Sequence, residues 1–377
     1  MDFSTFLDAR GFPLPETTLG GDGYPLDSLS LMELAGHIAR TFHLTELGVE
    51  DYLLRRRTLQ GWVDLVHEGW REGLNKITFS TSGSTGRPQP VTHARETLLQ
   101  ETAHLATLFP RTQRVVAAVP AHHIYGFLFT VLLPQQMGVP LLEARALGAR
   151  ALYDALEDGD LIISHPFQWR YLGQLWPDLT SQVEGVTSTA PCPEATAALL
   201  RERGLTRLTE VYGSSESGGL GARDQHGTAY QLFPYWRPAD DGDDPLLIRT
   251  LPDGTGIEVE ASDLLEWETS ERFHVVGRRD GAVQVGGHNV FPVAVARILL
   301  EHPEVANCAV RLMKPEEGTR LKAFIVPAED RDLNGLPARL HAWCARELRA
   351  PQRPTHFRLG PALPRTAMGK AADWSID

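Results

Sequence analysis

Apolar positions recur at helical spacing early in the chain, at Leu29, Leu31, Leu34 and Ile38, and shorter apolar groups follow at 52–54 and 62–66. This pattern predicts helices through residues 1–75. The run Lys76-Ile77-Thr78-Phe79-Ser80 reads as a strand that feeds a glycine-rich loop. From 91 to 260 short apolar runs alternate with amphipathic stretches: strands are expected at Val115–Val119, Asp160–Ser164 and Val183–Thr187, helices at Arg95–Leu108 and Pro193–Arg203. Such alternation implies an α/β sheet covered on both faces. The Asp-, Gly- and Pro-rich stretch 220–256, with Asp240-Asp241-Gly242-Asp243-Asp244 inside it, predicts loops or a small antiparallel insert around Leu246–Ile248.

Beyond a second glycine cluster, Gly277 to Gly287, the texture changes. A helix is expected near Pro292–Glu301, strands near Ala306–Leu312 and Leu321–Val326, and a helix near Leu336–Leu348, where Pro337 suits the first turn. The division drawn from the pattern is 1–75, 76–280 and 281–377, and neither internal repeats nor low-complexity segments stand out.

Composition narrows the functional classes. With 377 residues, more than one core is expected. A net charge of −12 argues against a general nucleic-acid binder, which needs a basic face to displace phosphate counterions. It leaves room for a single nucleotide held by backbone amides. Cys192, Cys308 and Cys344 are far apart and odd in number, neither a disulfide framework nor a zinc pattern, and suit a reducing cytoplasm. No signal peptide is visible, and no stretch approaches the roughly 20 apolar residues of a membrane span. The expectation is therefore a soluble, cytoplasmic protein, with a homodimer only as a base-rate expectation.

The candidate chemistry begins at Thr81-Ser82-Gly83-Ser84-Thr85-Gly86, followed by Arg87-Pro88. Glycines let backbone amides approach an anion and hydroxyls add donors to phosphate oxygens. No Gly-Lys-Ser/Thr follows at Walker spacing, so this is not a P-loop of that kind. The order Thr-Ser-Gly-Ser-Thr-Gly-x-Pro resembles the signature of the adenylate-forming superfamily, which includes acyl- and aryl-coenzyme A ligases, luciferases and peptide-synthetase adenylation domains.

Further segments match in the same order: Pro120-Ala121-His122-His123-Ile124-Tyr125-Gly126, Val211-Tyr212-Gly213-Ser214-Ser215-Glu216, Gly277-Arg278-Arg279-Asp280 with Val285-Gly286-Gly287-His288-Asn289-Val290, and Leu363-Pro364-Arg365-Thr366-Ala367-Met368-Gly369-Lys370. The resemblance covers residues 76 to 377. It implies the adenylate-forming ligase fold, a large N-terminal α/β domain with a small mobile C-terminal α+β domain.

The resemblance also implies roles. Thr81 to Gly86 would hold phosphates of ATP; Glu216 would ligate magnesium; Tyr212 would stack on adenine beside Gly213; Ser215 would bond the α-phosphate. Asp263 and Arg278 would hold the ribose. Lys370 would stabilise charge during adenylation, Asp280 would be the hinge, and Gly286 and Gly287 would line a channel for a phosphopantetheine thiol. His123 would border the acid pocket or move between steps. The implied reaction is ATP-dependent activation of a carboxylic acid as an acyl-adenylate, followed by transfer to coenzyme A or to an acyl carrier protein.

The chain also departs from the pattern. Gln89 stands after Pro88 where a lysine is common, the stretch from Glu216 to Asp263 is short, and about 80 residues precede the loop, fewer than in relatives. Leu26-Asp27-Ser28-Leu29-Ser30-Leu31 resembles an acyl carrier protein, whose Asp-Ser-Leu serine bears phosphopantetheine; a carrier-like remnant is favoured over a working carrier, and a capped amphipathic helix accounts for the same residues. Val285 to Pro292 is more similar to acyl- and aryl-CoA ligases than to amino-acid adenylation domains. Compact ligases of aryl polyene and xanthomonadin-like pathways are similar in build, which suggests an aromatic acid, a hydroxybenzoate or hydroxycinnamate. Two competing readings are a ligase-like binding protein without turnover and a self-loading ligase–carrier fusion.

Overall fold

The computed structural model describes residues 16–20, 23–24, 26–81, 89–239, 246–279, 281–286, 288–328, 333–364 and 372–376, with Thr81 and Arg278 described by backbone alone. It divides into two compact units. The larger holds the described residues up to 81 with 89–261 and 266–274, and the smaller holds 262–265 and 275–376.

In the larger unit, α1 (Ser28–Thr41) starts where Asp27, in extended conformation, accepts the Ser30 N–H at 2.7 Å. A side-chain acceptor there satisfies one of the orphan donors of the first turn. α2 (Tyr52–Arg55) and α3 (Leu59–Arg71), the latter capped by Thr58, close over α1. Together they bury Leu31, Ala35, Ala39, Leu53, Trp62 and Leu65 with Ile38 packed against them. Leu29 and Leu34, expected on the same face, are instead exposed, because the buried stripe of α1 runs through 31, 35 and 39.

The hairpin β1 (Lys76–Thr81) and β2 (Gln89–Ala94) follows, with Thr81 opposite Gln89, and leads into α4 (Arg95–Leu108). Next come β3 (Arg114–Ala117) and a helix in three parts: α5 (Ile124–Phe127), a π-turn over Leu128–Leu132, and α6 (Leu133–Met137). Pro134 has no N–H to continue the ladder, and the Thr130 hydroxyl donates to the Gly126 carbonyl at 2.7 Å, which accounts for the loosened turn.

The chain then alternates through β4 (Leu141–Glu143), α7 (Ala149–Asp154), β5 (Asp160–Ser164), α8 (Pro166–Leu175), β6 (Glu184–Thr187), α9 (Glu194–Glu202) and β7 (Arg207–Ser214). These strands pair in parallel in the order β4-β3-β5-β6-β7. Val115, Val116, Leu161, Ile162, Ile163 and Val186 are all buried, as expected of a parallel sheet covered on both faces. On one side Trp169 and Trp176 fill the helix layer, and their indole N–H groups donate to the carbonyls of Val186 at 3.0 Å and Ala149 at 2.8 Å.

At β7 the sheet changes character. β8 (Gly218–Arg223) and β9 (Tyr230–Leu232) continue it antiparallel. β10 (Trp236–Pro238), β11 (Leu246–Thr250) and β12 (Gly256–Glu260) form a separate antiparallel sheet where the small insert is expected; Asp240 to Asp244 lie outside the described residues. β13 (Asp263–Thr269) and β14 (Arg272–Arg278) complete a sheet ordered β13-β14-β9-β8-β7-β6-β5-β3-β4, with Phe273 of β14 opposite Tyr230 of β9.

The smaller unit opens with the hairpin β15 (Val283–Val285) and β16 (His288–Val290), then α10 (Pro292–Leu300), β17 (Val305–Leu312), β18 (Leu321–Pro327), α11 (Leu336–Glu347) and β19 (His356–Leu359). β17 and β18 pair antiparallel, β18 and β19 parallel, and Leu299, Leu321, Ala323, Ile325, Leu336 and Leu340 fill the core. Lys322 is fully buried on β18. Its ammonium donates to Glu317 at 2.6 Å and to the Trp374 carbonyl at 2.5 Å, and lies 3.2 Å from Asp373, which ties Asp373 and Trp374 to this sheet. The three cysteines are buried, Cys192 in the core of the larger unit, Cys308 and Cys344 in that of the smaller. Among the described residues no helix is long and apolar enough to cross a membrane.

Candidate active site

Ligands of open α/β sheets gather beyond the carboxyl ends of the parallel strands. Here those ends are level: Ala117 of β3 pairs with Ile163 of β5, Ile163 with Val186 of β6, and Val186 with Thr209 of β7. The segment 120–126 follows β3, 188–192 follows β6, and β7 runs past that level to the turn bearing Glu216. Two motifs far apart in sequence thus lie along one edge.

The spacing from Pro120 to Gly126 has a steric origin. A Cβ at Gly126 would lie 2.0 Å from the Pro120 carbonyl oxygen, so only glycine lets the chain double back at the start of α5. Behind it, the buried Tyr125 hydroxyl donates to the Ser164 carbonyl at 2.8 Å and approaches that of Val186 at 3.3 Å, bridging the ends of β5 and β6. His123, exposed and extended, occupies the cap position of α5, with its ring 4.0 Å from that of His122. Partial burial, then the Arg145 charge and His37, hold His122 below the usual imidazole range.

The turn between β7 and β8 is built on two hydroxyls. Ser214 Oγ accepts the N–H groups of Glu216 at 3.2 Å and Ser217 at 3.1 Å, while Ser217 Oγ accepts the Ser214 N–H at 3.2 Å and donates to the Gly218 carbonyl at 2.7 Å. A Cβ at Gly213 would come within 2.2 Å of the Gly218 oxygen, the physical reason for glycine after Tyr212. Glu216 is exposed at this turn and Ser215 half-buried. An exposed carboxylate on a fixed turn fits magnesium, which takes one or two protein carboxylates and completes its shell with phosphate and water. The resemblance gives no role to Ser214, which lies inside the motif, or to Ser217, which follows it; short hydroxyls beside a tight turn are the signal of their part here.

Tyr212 is half-buried in an aromatic group, with ring centroids 5.4 Å from Tyr230 and 5.6 Å from Phe273, and Trp267 lies 5.5 Å from Phe273. Beneath it, Glu210 is buried and accepts from Arg223 Nε at 2.9 Å and the Cys192 N–H at 2.9 Å, with His226 Nδ1 also at 2.9 Å. Burial pushes this carboxyl up, but the His226 and Cys192 hydrogen bonds and the Arg223 charge outweigh it and hold it below the usual range. The Cys192 N–H bond to Glu210 fastens the segment after β6 to β7. Within that segment Thr189 has φ 76°, a region unfavourable for a β-branched residue, and such strain collects at ligand sites. Motif reading misses both Glu210 and Thr189.

In the smaller unit, Asp263 opens β13 and Arg278 ends β14. The Arg279 N–H donates to the Ser262 carbonyl at 3.3 Å, so these two strand ends are neighbours. Gly286, φ 60°, leads the turn from Val285 to its partner His288. Thr81 closes β1 opposite an exposed Gln89, whereas Ser82, Gly83, Ser84, Thr85, Gly86, Asp280, Gly287 and Lys370 lie outside the described residues.

Residues 77–291 match the model of the AMP-binding enzyme family, and 294–370 that of the AMP-binding enzyme C-terminal domain. The chain is 40% identical over 377 residues to a 4-coumarate–CoA ligase of Rhodobacter capsulatus, covering 96% of this chain and 94% of that one. It is 39% identical to the 4-coumarate–CoA ligase of Cereibacter sphaeroides, covering 98% and 88%. Among solved structures, amide bond synthetase McbA from Marinactinospora thermotolerans shares the fold at 20% identity and a TM-score of 0.62, over 78% of this chain and 67% of that one. Two family models that together span 77–370 and relatives near 40% identical over almost the whole chain agree: the chain belongs to the AMP-binding enzyme family.

Proposed function

We propose that this protein is an AMP-forming acid–thiol ligase that activates a hydroxycinnamate-type aromatic acid and transfers it to coenzyme A. The observation that carries this reading is similarity near 40% along almost the whole chain to two 4-coumarate–CoA ligases. Those relatives favour a hydroxycinnamate over a hydroxybenzoate and coenzyme A over a carrier protein.

The acid's carboxylate attacks the α-phosphorus of ATP and pyrophosphate leaves; the thiolate then attacks the acyl carbon and AMP leaves. The protein's task is positioning and charge neutralisation. His123 and the Gly126 bend border the acid, Tyr212 faces adenine, and Ser215 donates to the α-phosphate. Thr81 to Gly86 hold the outer phosphates, with Gln89 in place of a cation at that end. Glu216 holds magnesium, which when bound neutralises phosphate charge. Asp263 and Arg278 hold the ribose. Lys370 acts in adenylation, and Asp280, Gly286 and Gly287 serve the thiol step after a change in the smaller unit's orientation. The helices of 26–71 are read as a carrier-like remnant; intact mass unchanged after treatment with a phosphopantetheinyl transferase is expected for Ser28.

The test is acid-dependent pyrophosphate release over a panel of cinnamates, benzoates and fatty acids, with thioester formation on coenzyme A and on a carrier protein in parallel. A hydroxycinnamate with coenzyme A should give the highest kcat/KM, and Lys370→Ala should abolish adenylation. Absence of turnover with every acid refutes the enzyme reading; preference for carrier protein or benzoate refutes the finer one.

A further inference from the structure

The turn Ser215–Gly219 carries Glu216; Gly218 and Gly219 pair with Ser214 and Gly213, the β7–β8 register shifts just beyond them, and Ser215 to Ser217 lie outside the ladder. Inward-facing carbonyls and amides in such a segment must find partners elsewhere. They find them on four other elements. His93 of β2 donates from Nε2 to the Ser215 carbonyl at 2.6 Å. Glu101 of α4 accepts the Gly219 N–H at 2.8 Å. Arg249 of β11 points Nη1 at the Ser217 carbonyl at 3.5 Å, donates from Nη2 to the Thr97 carbonyl at 2.5 Å and from Nε to Gln100 at 3.0 Å, and lies 3.8 Å from Glu101. The Trp236 indole closes the set by donating to the Gly219 carbonyl at 2.9 Å.

All three residues are buried, and the fit is tight: a Cβ at Gly218 or Gly219 would lie 2.5 or 2.6 Å from the Glu101 carboxylate. Arg249 is itself wedged over Tyr235 at 4.6 Å and Trp236 at 5.4 Å, so its fork has little freedom to turn away.

We propose that His93, Glu101 and Arg249 are positioning residues that hold the Ser215–Gly219 backbone from behind, so that Glu216 meets the magnesium–nucleotide at a fixed place. This rests on the reading of Glu216 as the magnesium ligand. None of the three touches substrate; each acts through the turn. Partners behind a metal ligand govern affinity for the ion, and their loss costs about tenfold or more.

The experiment measures, at saturating ATP, the magnesium concentration giving half-maximal pyrophosphate release, together with KM for the acid and the melting temperature. Glu216→Gln should raise that concentration most. His93→Leu should raise it about tenfold while acid KM changes less than about twofold, and His93→Gln, which keeps a donor, should restore it to near the parent value. Arg249→Lys, which keeps the charge and loses the fork, should repeat the split and serves if His93→Leu does not fold. If Glu216→Gln leaves magnesium dependence unchanged, the reading of Glu216 fails. If Glu216→Gln shifts it but His93→Leu and Arg249→Lys do not, or lower every parameter alike without rescue by His93→Gln, the positioning role is overturned.

Discussion

Replacing Glu101 by glutamine should alter the pH dependence of stability in a calculable way. The carboxyl is fully buried, and burial raises its pKa from 4.5 to about 7; the Arg249 charge and the Gly219 N–H offset only part of that rise. Each unit is worth about 1.4 kcal/mol, so the shift corresponds to about 3 kcal/mol. Because the folded state binds this proton more tightly than the unfolded chain, the contribution is fully present below pH 4.5. It is lost as pH rises towards 7 and does not change further above it. Glutamine keeps the shape and the acceptor for Gly219 but cannot ionise. Urea unfolding followed by tryptophan fluorescence at pH 5, 6, 7 and 8 gives the difference between variant and parent, in which groups common to both cancel. The variant should gain on the parent by about 2 to 3 kcal/mol between pH 5 and 8. A flat difference, or one of opposite sign, refutes the reasoning; the opposite sign would mean that Arg249 outweighs burial and keeps Glu101 ionised.

Two further substitutions probe the sheet edge and the core behind it. Gly126→Ala forces a methyl against the Pro120 oxygen and should lower kcat/KM for the acid at least about tenfold in pyrophosphate release, whereas Gly148→Ala, with open space around it, should leave activity unchanged. Equal activity in both would detach the bend from the acid site. Trp169→Ala empties a fully buried position and leaves the Val186 carbonyl without its indole partner, so urea unfolding should show a loss of about 3–5 kcal/mol; less than about 1 would mean that the helix layer collapses to fill the gap.

Where burial made the apolar pattern continuous, the fold was legible. Asp160–Ser164 and Arg95–Leu108 stand at their expected bounds, and the insert around Leu246–Ile248 is a sheet. β7 was not anticipated as a strand, because Arg207, Thr209 and Glu210 interrupt its apolar run, and Glu210 becomes tolerable in a buried strand only once Arg223 and His226 are beside it. The motifs marked residues that the proposed function sets against the nucleotide. They did not mark His93 or Arg249, whose partners lie 122 and 152 positions away in the chain, a distance across which local patterns carry no signal. Ser214 was hidden for another reason: as one hydroxyl among several it looks interchangeable with Ser215 until the turn is drawn.

The burial of all three cysteines has a practical consequence. Burial pushes the thiol of Cys192 up to about 12, aided by Glu210, and those of Cys308 and Cys344 up to about 11. At neutral pH only about one thiol in ten thousand or fewer is ionised, and the thiolate is the reactive form. A cysteine introduced on the surface would therefore take a maleimide dye with little background from the native thiols. A pair of such labels, one in each unit, would let single-molecule fluorescence measure whether the distance between them changes as ATP, acid and coenzyme A are added in turn.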